Sequence, residues 1–133
     1  MMPTFTNLHH VAVTVRDLDA SVAFYEQVFG FEPVTEIDDE TLHRTLFALP
    51  GGTNLGLTQH DRGDDAGFSP FSPFSPGLDH LGLAVESLDE LDAWAQHLTE
   101  RGIEHSGVVE ASYGSALSFK DPDQIALEFF VSK

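Results

Sequence analysis

The sequence predicts an α+β protein built from two tandem βαβββ modules. Two short stretches, residues 9–15 and 78–85, alternate bulky aliphatic residues with a histidine and small residues, as expected of strands with two different faces. Each stretch is followed by helix-capping residues and an amphipathic segment. The landmarks also repeat, since His10 and His80 lie 70 positions apart and Gly30 and Gly102 lie 72 apart. A duplicated unit explains all three observations.

The first module begins with a strand over residues 9–15. Its valines form one face, and the other face carries His10, Ala12 and Thr14. Asp17 and Asp19 supply capping chemistry for a helix that Gly30 ends. Three further strands are predicted over residues 31–37, 43–49 and 54–59.

The second module repeats this order. Its first strand places His80, Gly82 and Ala84 on the face with little bulk. Ser87 and Glu90 have the spacing of a capping box, and the helix that follows ends at Gly102. Strands are then predicted over residues 103–110, 115–120 and 125–131.

We expect residues 1–133 to form a single domain, with the first module in 8–60, a connector in 61–77 and the second module in 78–131. The connector contains Phe-Ser-Pro three times between Phe68 and Pro76. A proline at every third position excludes a helix or an inner strand there. Because three exposed phenylalanines would be unfavourable in a bare linker, we expect them to lie against the protein or a partner subunit.

The composition limits the partners that the chain can have. With 6 Lys+Arg against 22 Asp+Glu, the formal net charge of −16 predicts no binding to nucleic acid or to anionic membrane surfaces. No apolar run approaches the roughly 20 residues of a membrane span, and no secretory signal begins the chain, so we expect a cytoplasmic protein. The acidic balance indicates solubility, or attraction for a cationic small molecule.

Three residues predict a metal site. The chain has no cysteine, so any metal must be held by His, Asp or Glu. Glu128 falls in the middle of the last strand, where a carboxylate needs a partner or a metal. His10, His80 and Glu128 all share faces with small neighbours, and two imidazoles with one carboxylate form the ligand set of non-haem iron and related divalent sites. Any one of them alone fits a structural role, but their repeat-related positions favour one divalent ion, which could be Fe, Mn, Zn or Ni.

Several motifs resemble those of the vicinal oxygen chelate superfamily. The His10 strand is followed by Asp17-Leu18, Phe24-Tyr25 and Phe29-Gly30-Phe31, and the His80 strand by Asp121-Pro122-Asp123 and Glu128. The resemblance extends from Leu8 to Val131 and implies eight strands that curl into an open cup. The superfamily contains glyoxalases, extradiol dioxygenases, fosfomycin-resistance transferases, methylmalonyl-CoA epimerases and bleomycin-resistance proteins, so the resemblance predicts the fold better than the reaction.

The resemblance implies a function through its ligand positions. Glyoxalase-like members use four ligands, and the fourth position falls on Gly56, which disfavours a glyoxalase-type lyase or isomerase. Dioxygenases use two His and one Glu, which predicts a dioxygenase-like enzyme whose small substrate binds the metal through adjacent oxygens. Fosfomycin transferases surround an anionic substrate with basic residues, for which this chain offers only Arg44 and Lys120. The alternative is a non-catalytic protein of the bleomycin-resistance type that sequesters a cationic small molecule.

Three further residues are candidates for proton transfer at the mouth of a pocket. They are His43, His60 and Tyr113. His9 is expected to face away from His10 because neighbouring strand residues point to opposite sides. The exposed phenylalanines of the connector predict a homodimer, and the resemblance to the superfamily implies the same assembly.

Overall fold

The computed structural model describes residues 1–61 and 67–133 as two four-stranded sheets, each with one helix. The elements of the first half are β1 (His10–Thr14), α1 (Leu18–Phe29), β2 (Pro33–Asp38), β3 (Leu42–Ala48) and β4 (Asn54–His60). Those of the second half are β5 (Leu81–Ala84), α2 (Leu88–Glu100), β6 (His105–Ala111), β7 (Gly114–Lys120) and β8 (Ala126–Ser132). The order βαβββ occurs twice, which confirms the predicted α+β class.

The two sheets have the same topology. Their strand orders are β1-β4-β3-β2 and β5-β8-β7-β6. In each sheet the first strand pairs in parallel with the last, and the remaining pairs are antiparallel. The chain forms two compact units, Met1–Phe68 and Ser69–Lys133. Each unit therefore contains one complete module.

The helix ends follow from local sequence. The Asp17 side chain accepts a hydrogen bond from Ala20 N, and Gly30 adopts the left-handed conformation with φ 70° at the C-terminal end of α1. The Ser87 side chain accepts from Glu90 N at the start of α2. Gly102 follows the end of α2, also with φ 70°. These are the capping residues that the sequence predicts.

Each helix packs on one face of its own sheet. In the first unit, Tyr25 of α1 stacks on Phe47 of β3 with ring centroids 6.4 Å apart. In the second unit, Trp94 of α2 stacks on Phe129 of β8 at 4.2 Å. Strand residues on these faces form most of the buried core, namely Val13, Phe47, Leu55, Leu57, Leu117, Phe119, Leu127 and Phe129. We call the opposite side of each sheet its open face.

The connector is only partly described, because residues 62–66 of the predicted segment 61–77 lie outside the described residues. Its phenylalanines differ in environment. Arg16 Cζ lies 5.6 Å from the centre of the Phe68 ring, a cation–π contact. Phe71 is half-buried, whereas Phe74 is 95% exposed. Neither described helix has the length and apolar character needed to span a membrane.

Candidate metal centre

Two of the predicted ligands meet in the second unit. His80 lies immediately before β5, and Glu128 lies in β8 opposite Gly82. His80 Nε2 is 3.8 Å from Glu128 Oε1. The small residue at position 82 contributes to this arrangement, since a Cβ there would lie 3.9 Å from Glu128 Oε1. Glycine at position 82 therefore places no side chain against this carboxylate oxygen.

The preceding residue orients the His80 ring. Asp79 Oδ1 lies 2.6 Å from His80 Nδ1. A carboxylate can only accept, so Nδ1 carries the proton and the lone pair of the neutral ring is on Nε2, the atom that faces Glu128. This is the arrangement in which a carboxylate supports a metal-binding histidine. The sequence signal, an acid directly before His80, was available, but Asp79 was not among the predicted site residues.

The pair fits a divalent ion. A separation of 3.8 Å is too long for a hydrogen bond between Nε2 and Oε1. Two ligands bound at about 2.1 Å to one ion lie about 3 to 4 Å apart, depending on the angle between them. One imidazole nitrogen and one carboxylate oxygen suit zinc, iron, manganese or nickel. Across residues 1–61 and 67–133, no three His, Asp or Glu side chains converge into a complete cluster. The pair is thus the part of the predicted set that the structure brings together.

His10 lies at the start of β1 and is exposed. Its ring packs edge-on against that of His9, with centroids 5.2 Å apart and the two Nδ1 atoms at 3.0 Å. The expectation that His9 faces away from His10 is wrong. The reason is that β1 begins at His10, so the alternation of a strand does not extend to His9. In both units, the residue before the predicted ligand therefore contacts its Nδ1.

Gly56 occupies the position in the first unit that Glu128 occupies in the second. Gly56 pairs with Ala12 across β1 and β4, as Glu128 pairs with Gly82 across β5 and β8. A Cβ at position 56 would lie 3.1 Å from Leu46 Cδ2 and 3.4 Å from Ala12 Cβ. The first unit thus lacks the carboxylate, and a side chain at position 56 would require Leu46 to shift by a few tenths of an ångström.

The three proton-transfer candidates lie on different surfaces. His43 pairs with Asp38 and contacts its carboxylate, and strand alternation puts it on the face of Phe47, beneath α1. His60 is exposed at the end of β4, four residues beyond Gly56 and on the same open face. Tyr113, between β6 and β7, stacks on Phe130, with ring centroids 6.0 Å apart. Of the three, Tyr113 and His60 are associated with open faces, and His43 is not.

The charged residues of the strands are distributed unequally between the helix-covered face and the open face of each sheet. The acids of β2 and β6 are Glu36, Asp38 and Glu110, which pair with Thr45, His43 and Ser115 on the helix-covered face. The open faces carry only three charged strand residues, namely Arg44, Lys120 and Glu128. The charge of −16 is therefore not a property of the open faces of these strands.

Comparison with known proteins agrees with this architecture. Residues 7–129 match the sequence model of the Glyoxalase/Bleomycin resistance protein/Dioxygenase superfamily. The chain is 32% identical over 130 residues to the "Trivalent organoarsenical cleaving enzyme" of Bacillus sp. (strain MD1), covering 93% of this chain and 72% of that protein. A crystal structure of a glyoxylase/bleomycin resistance protein/dioxygenase domain from Frankia sp. EAN1pec has a TM-score of 0.86 and 34% identity, and the match covers 98% of this chain and all of that one.

A more distant structure shares the fold. The fosfomycin resistance protein FosX of Listeria monocytogenes, solved as a variant in complex with Mn(II), has a TM-score of 0.74 and 19% identity, with 98% of this chain and 95% of that chain covered. This likeness concerns the fold, which in FosX accommodates a divalent metal.

Proposed function

Because this chain belongs to the Glyoxalase/Bleomycin resistance protein/Dioxygenase superfamily, we propose that it is a divalent-metal-dependent enzyme of the dioxygenase-like type. His10, His80 and Glu128 are its proposed metal ligands, and its substrate is a small molecule that binds the ion through two adjacent oxygens. When bound, the ion supplies Lewis acidity and, if it is iron, a site for dioxygen.

The observation that carries the proposal is the sequence of contacts Asp79–His80–Glu128. Asp79 holds the His80 proton on Nδ1, and Nε2 faces the Glu128 carboxylate at 3.8 Å. In the neutral ring both atoms are electron-pair donors, and an ion between them would replace their mutual repulsion by attraction. The Nδ1 atoms of His9 and His10 lie 3.0 Å apart, and when His10 is the donor of this hydrogen bond its Nε2 carries the lone pair.

The reaction class follows from the ligand set. An ion held by two histidines and one carboxylate would have coordination positions open for the two oxygens of a diol and for dioxygen. In a ring cleavage, one carbon–carbon bond of a catechol-like diol breaks and both atoms of O₂ enter the product, so no external reductant is consumed. We propose Tyr113 and His60 for proton transfer, and we omit His43 because it lies on the helix-covered face.

The relative from Bacillus sp. is named for cleaving a trivalent organoarsenical. Trivalent arsenic is a soft centre that favours thiolate ligands, and this chain has no cysteine. We therefore propose a substrate that presents oxygen atoms.

Two alternative functions are disfavoured by the structure. A glyoxalase-type reaction with four protein ligands is disfavoured by Gly56, because the Leu46 side chain lies against that position. Sequestration of a cation is disfavoured because the acids of β2 and β6 face away from the open faces.

The experiment begins with anaerobic purification and elemental analysis. Catechol is then added as the probe, with oxygen uptake and the absorbance of a ring-opened product as readouts. We expect turnover to stop with a chelator, to return with added metal, and to change little between low salt and about 0.1 M salt, because ligand bonds are poorly screened. Capture of a cationic probe that persists in metal-free protein and weakens with salt would instead support the sequestration alternative.

We also propose that the chain assembles as a homodimer. Phe74 of the connector is 95% exposed, and an apolar ring of this size is more stable when covered. Sedimentation should give a dimer at micromolar concentration, and Phe74→Ser should weaken it while Glu86→Gln, at another exposed position, should not. A monomeric wild-type protein would reject the assembly.

A further inference from the structure

The open face of β8 carries two large side chains, Glu128 and Phe130, which lie two residues apart on the same side of the strand. Their Cα atoms are therefore about 7 Å apart. The residues that pair with them on the two adjoining strands are all small, namely Gly82, Ala84, Ala116 and Ser118. The carboxylate and the ring thus stand on a surface that has little bulk on either side of them.

The Phe130 ring leans away from Glu128. A Cβ on Gly114 would lie 2.5 Å from Phe130 Cζ, so the tip of the ring covers Gly114, a position that only glycine leaves free. Gly114 pairs with Ser132, which lies beyond Phe130 on the side opposite to Glu128. Tyr113 stacks on the Phe130 ring with centroids 6.0 Å apart. The space between the ring and the carboxylate is therefore not filled by Phe130 itself.

Apolar surface is exposed around this space. Ala84 is exposed, and Phe130 is only half-buried. Val109, which pairs with Ala116 on the same face, is 54% exposed. We call the surface formed by Ala84, Val109, Ala116 and Phe130 the apolar shelf. Exposed apolar surface of this kind is typical of binding sites, and this shelf continues directly from Glu128 along β8.

We propose that the apolar shelf binds an aromatic ring of the substrate and that Phe130 is the specificity-determining residue for it. The ring would lie over Ala84 and Ala116, while its adjacent oxygens reach an ion on His80 and Glu128. All these residues belong to the second unit. The inference rests on the proposed function for the ion, and on Phe130 and its small neighbours for the ring. Contact between two aromatic rings favours an aromatic substrate over a saturated one of the same size.

The test uses three hydroxamates, which share one chelating group with two adjacent oxygens. Acetohydroxamate has no ring, cyclohexanecarbohydroxamate has a saturated ring, and benzohydroxamate has an aromatic ring. Binding is measured by calorimetry on zinc-loaded protein. We expect the wild-type protein to bind benzohydroxamate about tenfold or more tightly than acetohydroxamate, because the shelf removes the apolar ring from water.

Two variants test the shelf in different ways. Phe130→Leu keeps an apolar side chain but removes the ring, so it should lower the preference for benzohydroxamate over cyclohexanecarbohydroxamate by about threefold or more. Ala84→Leu fills the shelf from an exposed position, so it should weaken benzohydroxamate to near the affinity of acetohydroxamate and leave acetohydroxamate binding unchanged. Phe24→Leu is the matched control, because it makes the same change at a half-buried position of α1, and it should keep the wild-type preferences.

A second readout is independent of the metal. Phenol is added to metal-free protein, and NMR detects magnetisation transfer from its ring protons to the methyl group of Ala84. We expect this transfer in the wild-type protein and its loss in Phe130→Leu.

The outcomes separate the two proposals. Equal binding of acetohydroxamate and benzohydroxamate by the wild-type protein, or unchanged preferences in both shelf variants, would overturn the role of Phe130 and leave the metal-dependent function standing. If no hydroxamate binds but phenol contacts Ala84, the proposed function fails and the aromatic site stands. Absence of both effects would overturn both.

Discussion

Asp79 Oδ1 lies 2.6 Å from His80 Nδ1, so the residue before the proposed ligand fixes which ring nitrogen is free. The free nitrogen, Nε2, faces Glu128. Because His80 lies immediately before β5, its ring contacts the preceding residue through Nδ1 and faces Glu128 with Nε2.

Asp79→Asn should weaken metal binding by about 10- to 100-fold, the usual effect of removing a carboxylate that supports a metal-binding histidine. The amide side chain retains the shape but loses the charge that raises ring basicity. Titration of metal-free protein with zinc or manganese measures the change. Asp92→Asn, at an exposed position of α2, is the matched control and should keep wild-type affinity. Equal affinity of the Asp79 and Asp92 variants would show that Asp79 does not support the ligand.

Alanine at His10, His80 or Glu128 should each abolish stoichiometric metal binding, because two remaining ligands hold a divalent ion poorly. Elemental analysis after dialysis gives the ratio of metal to protein. His97→Ala, which removes an imidazole from α2, should retain one ion per chain. A tightly bound ion in the His80→Ala protein would show that the ligand set is wrong. Retention in the His10→Ala protein alone would mean that another group supplies the third ligand.

Gly56→Glu should place a carboxylate at the position equivalent to Glu128, but the new side chain would contact Leu46 too closely. The Cβ would lie 3.1 Å from Leu46 Cδ2, so we expect the single variant to lose about 1–3 kcal/mol of stability through overpacking. Leu46 pairs with Gly56 as Ser118 pairs with Glu128, which makes Leu46→Ser the compensating change.

The variant with both changes should recover stability and bind zinc or nickel more tightly than the wild-type protein. Thermal unfolding and metal titration measure the two effects, with Leu46→Ser alone as the control. Unchanged metal affinity in a folded double variant would show that position 56 does not face the ion.

The sequence predicts the elements well because the pattern of apolar residues and the capping residues are local. Asp17, Gly30 and Ser87 mark helix ends through contacts within a few residues. Contacts between strands are harder to predict from the sequence, because they depend on which residues of the two strands lie opposite each other. The Arg44–Thr58 hydrogen bond and the side of the sheet on which His43 lies both depend on how β2, β3 and β4 align. A shift of one residue would exchange the two faces, and no local signal fixes that choice.

The turn between β2 and β3 gives a pH-dependent prediction. Backbone hydrogen bonds from Thr41 and Leu42, with the Thr41 hydroxyl and the nearby His43 charge, hold the pKa of Asp39 below its ordinary value of 3.8. The folded state therefore binds a proton less readily than the unfolded state. The resulting stability is complete above pH 3.8 and is lost as the pH falls through the lower, folded-state pKa.

Asp39→Ala should thus lower the free energy of unfolding at neutral pH, and the difference from the wild-type protein should shrink as the pH falls below 3.8. Denaturant unfolding at several pH values measures this difference, and the carboxyl carbon resonance of Asp39 reports its titration directly. Glu40→Ala removes a charge from the same turn without removing these hydrogen bonds, so it should not reproduce the pH dependence. A midpoint for Asp39 at or above 3.8 would contradict the role of the turn hydrogen bonds in stabilising the ionised carboxylate.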